Sequence, residues 1–408
     1  MPYKIKTEIA ITGVGLGCAL GHSFVSVGDR LFAGRSGVRP ITHFDASQHS
    51  TRFAAWMDPL PCPAGWDAAD FASRDSWEQL VLWCTVGALQ DAGLWDSRQD
   101  RRIGLVLGIG GEWMRRWEID LLRGGNRIHE PHRERDGLTP MARDLLGLQG
   151  PCARVAAACA SGNTALSVGR EWIRKGVVDI CLAGALEIPV SPFTMAGFGK
   201  LGALSKRNGT PTMASRPFDK NRDGFVMADG GAVFVLETAT SAHKRSAKSY
   251  GELAGYGSAS DAFHVVSPGE DPQWGALAMK RAVADAGITP DDLDYVNAHG
   301  TGTQVGDVFE TRALHAALGE AAAKVPVSAT KSMTGHLVGG ASALEAAICL
   351  MAFERQAIPP TINLDEVDPE CTLNHIALQA IDAPVQWAMS GSFGFGGSNT
   401  CLVLRKAA

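Results

Sequence analysis

The 408-residue sequence predicts a layered α/β fold, with helices covering sheets of mostly buried strands. Three observations predict it. Short apolar runs end in glycine, longer stretches carry helical stripes, and the two alternate along the whole chain. The length allows a large core and two lobes.

Glu8–Val14 reads as a buried strand closed by a glycine turn. Ser76–Asp91 has helical periodicity, with Leu80, Val81, Trp83, Cys84, Val86 and Leu89 as its apolar stripe. Ile103–Leu107 is a second buried strand, Val177–Ala183 a third and Gly231–Leu236 a fourth. A helix-like stretch runs from Asn163 to Trp172. The polar, lysine-bearing segment from Thr238 to Gly251 divides the chain into halves, 1–250 and 251–408. In the second half Glu252–Tyr256, Tyr295–Ala298, Val325–Ser328 and Leu402–Leu404 read as strands. Trp274–Ala286, Asp307–Leu318 and Ala341–Phe353 read as helices. A duplicated α/β core fits this pattern, although residue identity does not display the repeat. Glu112–Gly137, rich in Arg, Glu and His, reads as an insertion, a flap or an oligomer contact within the wider stretch 112–141.

Composition excludes several function classes. A net charge of −5 marks no nucleic-acid binder. No apolar run approaches the ~20 residues that span a bilayer, so no membrane association is expected. Met1–Ile9 is short and polar, unlike a signal peptide. The nine cysteines form no CxxC pair and no disulfide framework, which points to a reducing, cytoplasmic setting.

Four segments carry candidate chemistry. Ala156-Ala157-Ala158-Cys159-Ala160-Ser161-Gly162 surrounds one cysteine with small residues before a helix. Such a strand-to-helix elbow needs small neighbours, and a helix N-terminus favours thiolate. A buried structural cysteine is the competing reading. Asn297-Ala298-His299-Gly300-Thr301-Gly302-Thr303 takes a histidine from a strand end into a loop of glycines and hydroxyls, where a satisfied structural histidine competes. Lys331-Ser332-Met333-Thr334-Gly335-His336 supplies a second histidine, with Glu345 as the candidate partner of a buried Lys331. Gly394-Phe395-Gly396-Gly397-Ser398-Asn399 is either a plain turn or a source of oxyanion-binding N–H groups. Gly13-Val14-Gly15-Leu16-Gly17 lacks the third glycine and the acidic residue of a dinucleotide site. Cys159, His299 and His336 match no familiar zinc spacing, and no metal is expected.

In this order the four segments resemble the β-ketoacyl-acyl-carrier-protein synthases of the thiolase superfamily, closest to the elongating type of fatty-acid and polyketide synthesis. Ser215–Leu236 and Pro359-Pro360-Thr361-Ile362-Asn363 are also similar, so the resemblance spans nearly the whole chain. It implies a duplicated five-layer αβαβα core. The 1–250 half would hold the nucleophile and the 251–408 half both histidines. It implies decarboxylative condensation of an acyl group on Cys159 with a malonyl-acyl-carrier thioester, giving a β-ketoacyl-carrier and CO2. His299 and His336 would stabilise the enolate, and Lys331 with Glu345 would orient His336. The N–H groups of Cys159 and Phe395 would form the oxyanion hole. Phe395 would gate the site, Thr301 and Thr303 would bind the phosphopantetheine arm, and Phe198 and Ile109 would bound the acyl pocket.

The resemblance further implies a homodimer served by an acyl carrier protein. No cofactor is expected beyond the phosphopantetheine on that carrier. Lys206, Arg207, Arg74 and the arginines between Arg123 and Arg135 are candidates for a positive carrier-facing surface. Ala-Ala-Cys replaces the more usual Thr-Ala-Cys, and the charged 112–141 stretch departs from the family pattern. The rival function is a non-catalytic, chain-length-setting partner. Such partners usually lack the nucleophile, which Cys159 retains.

Overall fold

A computed structural model describes residues 7–125 and 137–407. Eleven strands share one hydrogen-bonded ladder. In the first half these are β1 (Ile9–Cys18), β2 (Ile103–Gly108), β3 (Cys152–Val155), β4 (Ile180–Glu187) and β5 (Gly230–Thr238). The second half contributes β6 (Gly251–Ser260), β7 (Tyr295–Asn297), β8 (Pro326–Ser328), β9 (Asn374–His375), β10 (Trp387–Gly394) and β11 (Ser398–Lys406).

The duplication that residue identity hides is plain in the strand order. The first array runs β3-β2-β4-β5-β1, and the second runs β8-β7-β10-β11-β6 with β9 added at its edge. In each array the first two pairings are parallel and the next two antiparallel. The arrays touch through β1 and β6 at two residue pairs, Ala10 with Glu252 and Ile11 with Gly251.

Helices complete five layers. The principal ones are α1 (Ser76–Asp91), α2 (Glu112–Leu122), α3 (Ser161–Arg174), α4 (Pro192–Lys200), α5 (Gln273–Ala286), α6 (Gln304–Leu318), α7 (Lys331–Thr334) and α8 (Ala341–Arg355). Helix α1 covers the outer face of the first array, and α5 with α6 covers that of the second. Helices α3 and α8 pack together between the arrays. Central position explains composition: α8 is buried from Ala341 to Phe353, including Glu345, and is apolar on all sides.

Helix α1 spans the residues its periodicity predicts, and its N-terminus is fixed by an Asp75–Glu78 capping box. The strand expected at Val177–Ala183 lies three residues later, because Val177 and Asp179 belong to the turn that follows α3. Of the 112–141 stretch, Glu112–Leu122 is helix α2 and Leu138–Leu146 is helical. Residues 126–136, including three of the arginines expected on a carrier-facing surface, lie outside the described residues. Among the described residues no helix is long and apolar enough to cross a membrane.

Candidate active site

The nucleophile segment follows β3. Ala158 takes a left-handed backbone, φ 47°, and α3 begins three residues later. That conformation costs an alanine about 1–2 kcal/mol. It is held by Ser161, whose Oγ accepts from the Ala157 N–H at 2.9 Å and donates to the Ala158 carbonyl at 2.7 Å. The elbow reading holds, with the strained position one residue before the sulfur.

His336 follows α7. Gly335 sits between at φ 68°, and a Cβ there would meet the Ala228 side chain at 2.8 Å. The His336 N–H donates to the Val226 carbonyl at 2.7 Å, and its carbonyl accepts from Ala228 at 3.0 Å. His299 leaves β7 in a loop held by α6. Glu310 accepts the His299 and Gly300 N–H groups, both at 2.7 Å. Asp307 accepts the Gly302 N–H at 3.1 Å, and Arg222 donates to the Thr303 and Gln304 carbonyls.

These loops bring three distant residues together. Cys159 Sγ lies 3.2 Å from His336 Nε2. The ligand atoms of Cys159, His299 and His336 fall within 4.8 Å of one another, and all three residues are buried. The two imidazoles meet at right angles, centroids 5.3 Å apart. They face a cavity of about 520 Å³ that is also lined by Phe198, Thr301, Thr303, Phe395 and Asn399.

Burial and the Lys331 charge hold both histidines well below their ordinary pKa, so both are neutral at neutral pH. Their tautomers follow from their partners. Lys331 Nζ, 3.2 Å from His299 Nδ1, can only donate, so Nδ1 accepts and Nε2 carries the proton. His336 Nδ1 is buried without a partner. A lone pair tolerates that position better than an N–H, which again places the proton on Nε2.

Lys331 completes the cluster from beneath. Its Nζ donates to the His299 carbonyl at 2.7 Å and to Glu345 Oε1. The expectation that this pair orients His336 is therefore corrected. Lys331 touches His299 and reaches His336 only through its charge. The sequence gives Lys331 no preference between the two rings. The turn from β8 into α7 points Nζ under the β7 loop.

Burial also pushes the Cys159 thiol up to about 11. The Lys331 charge and the N–H groups of Phe395 and Cys159 pull it down, but less strongly. The expected helix-terminus thiolate is thus overruled by desolvation, and the resting sulfur is protonated. Those two N–H groups nevertheless lie close to the sulfur, next to which the oxyanion of an attacked acyl carbonyl would form.

Phe395 stacks on Phe198 with centroids 6.2 Å apart at 27°. Phe198 in turn meets Phe225, which packs edge-on against His336. Thr301 and Thr303 hydroxyls lie 2.9 Å apart, and Thr303 also caps α6 through the Gly306 N–H. Ile109 departs from expectation. It is 1% exposed, sits in the core with Leu107, Leu138 and Leu186, and is not among the cavity's described lining residues. Its N–H donates to the Val155 carbonyl, which draws it toward β3 and into that core. Arg74 is engaged with Asp70, and Arg207 with the Asn221 carbonyl and Asp223. Glu310, Asp307, Arg222 and Phe393 were not singled out from sequence. The acid spacing of Asp307 and Glu310, on one face of the helix after the histidine loop, was the available signal.

Comparison with known proteins decides the family. The family model described as "Beta-ketoacyl synthase, N-terminal domain" matches residues 6–242, and "Beta-ketoacyl synthase, C-terminal domain" matches 250–365. The chain belongs to the β-ketoacyl synthase family. It is similar to 3-oxoacyl-[acyl-carrier-protein] synthase 2 of Vibrio cholerae, 40% identical over 98% of this chain and 99% of that one. It is 37% identical to the tetracenomycin polyketide synthase ketoacyl synthase alpha subunit of Streptomyces glaucescens, over 100% of this chain and 99% of that one. Among solved structures it resembles a type II polyketide synthase ketosynthase bound to its acyl-carrier protein. There the TM-score is 0.87 and the identity 30%, covering 98% of this chain and 100% of that one. The five-layer core with two matching arrays is the thiolase-like fold of this family.

Proposed function

We propose that this β-ketoacyl synthase elongates an acyl chain by decarboxylative condensation on a carrier protein. The observation that carries the reading is the convergence of one sulfur and two imidazoles on a single cavity wall. Cys159 Sγ attacks the acyl-carrier thioester. The N–H groups of Cys159 and Phe395 hold the oxyanion. The carrier leaves as a thiol, taking the proton that the sulfur gives up.

Malonyl-carrier then enters, with Thr301 and Thr303 beside its phosphopantetheine arm and Phe198 beside the acyl group. The bond to the carboxylate breaks and CO2 leaves. The electron pair moves into an enolate whose oxygen accepts from His299 and His336. One such donor is worth about 3–4 kcal/mol. The enolate carbon attacks the acyl-Cys159 carbonyl, and the sulfur is released and reprotonated. Lys331, neutralised by Glu345, keeps His299 in its donating tautomer. Phe395, stacked on Phe198, gates access to the sulfur.

The division at about residue 250, a homodimeric state, an acyl carrier protein as partner and a cytoplasmic setting belong to the same proposal. The scheme calls for no resident cofactor. Purified protein given acyl-carrier and malonyl-carrier should release CO2 and form β-ketoacyl-carrier. Absence of CO2 under every acyl primer would support the non-catalytic partner instead.

A further inference from the structure

Strand β10 makes three successive contacts with the catalytic cluster. Ser392 Oγ donates to the Cys159 carbonyl at 2.9 Å. The Phe393 ring lies 5.9 Å from the His299 imidazole. The Phe395 N–H, just past the strand end, points at Cys159 Sγ. The backbone at Gly394 is so close to the elbow that a Cβ would sit 2.8 Å from the Ala157 carbonyl.

Only one of these contacts ties the strand to the nucleophile's own backbone through a side chain. Ser392 is fully buried. Its partner, the Cys159 carbonyl, belongs to the residue whose N–H supplies half of the proposed oxyanion hole. The other half comes from Phe395, three residues along the same chain as Ser392. On the far side Asn163 of α3 reaches Thr400 of β11 at 3.2 Å, so a second polar contact joins these layers. An oxyanion hole works only while its two donors keep their separation, and an error of an ångström is costly.

We propose that Ser392 is a positioning residue that sets the spacing of the oxyanion hole by tying the backbone of Cys159, through its carbonyl, to the strand that delivers the Phe395 N–H. It touches no reacting atom. The role is specific to acyl transfer, because the histidines that serve decarboxylation are held by other groups. Glu310 and Lys331 hold His299, and Val226 and Ala228 hold His336. The inference rests on the condensing-enzyme reading above.

The test separates the half-reactions. Acyl transfer from acyl-carrier to Cys159 is followed by intact mass, and malonyl-carrier decarboxylation by CO2 release. In Ser392→Ala the acyl-transfer kcat should fall at least tenfold with KM for acyl-carrier unchanged, while decarboxylation falls less than twofold. The near-isosteric pair Ser392→Thr and Ser392→Val differs mainly in the hydroxyl. Thr should retain acyl transfer and Val should lose it, even if both are less stable than the parent. Equal loss of both half-reactions, no loss in either, or equal activity of the Thr and Val variants would overturn the proposal. Failure of the unmodified protein in both half-reactions would instead remove the underlying functional reading.

Discussion

Replacing Lys331 by Met separates electrostatic support from charge balance. Lys331 is 1% exposed and Glu345 2%, so the variant leaves a carboxylate in the core without its cation. Breaking a buried pair on one side costs about 3–5 kcal/mol. Glu345 can soften this. Burial already raises its pKa to about 7 against the pull of Lys331, so without the ammonium it takes up a proton at neutral pH. The loss should therefore lie near the lower end, about 3 kcal/mol. The double variant Lys331→Met/Glu345→Leu buries no charge and should recover most of it. Activity should not follow stability. Without Nζ opposite Nδ1, His299 is free to change tautomer and lose its Nε2–H. Decarboxylation should then fall by about 10²-fold in both variants, the effect of one missing donor. Urea unfolding gives the stabilities, and CO2 release gives the rates. If the double variant recovers decarboxylation together with stability, Lys331 serves only to neutralise Glu345, and the tautomer argument is wrong.

Other outcomes follow from the same contacts. With the Cys159 thiol raised to about 11, its alkylation by iodoacetamide should climb about tenfold per pH unit from 7 to 10; a plateau near pH 7 would contradict this. Glu187 is fully buried, and its Oε1 accepts both the Gly110 and Gly111 N–H groups at 2.6 and 2.8 Å while Oε2 has no partner. Burial raises its pKa from 4.5 to about 8, so the unfolded chain loses this proton first. Its contribution to stability is therefore full below pH 4.5 and declines by roughly 1.4 kcal/mol per pH unit up to about 8. Glu187→Gln keeps the accepting oxygen, and it should flatten that decline and raise stability at pH 8; an unchanged pH profile in urea unfolding would refute it. Arg222→Met removes a 2%-exposed guanidinium that bridges Asp307, Asp368 and the Thr303 carbonyl. It should cost about 3 kcal/mol and raise KM for malonyl-carrier by loosening the Thr301–Thr303 loop.

The parts legible in the sequence were those carried by local pattern. Helix α1 declared itself through periodicity, and Cys159, His299 and His336 through small-residue surroundings that only close backbone approach requires. Strand β10 escaped notice because Trp387–Gly394 mixes small and polar residues without alternation. It is buried on both faces, and burial there comes from its neighbours. The duplication resides in strand order and direction, which residue identity does not record. The partner of Lys331 was assigned to the wrong ring because the choice depends on how two loops cross, not on spacing along the chain. The protonated resting sulfur was missed for a similar reason. A helix terminus is visible in sequence, whereas the depth of burial that outweighs it is not.

The most direct measurement maps the covalent acyl adduct after incubation with acyl-carrier, by peptide mass spectrometry across all nine cysteines. Modification of Cys159 alone, discharged when malonyl-carrier is added and CO2 appears, is the result predicted. An adduct on another cysteine, or acyl-Cys159 that persists while CO2 is released, would contradict the account.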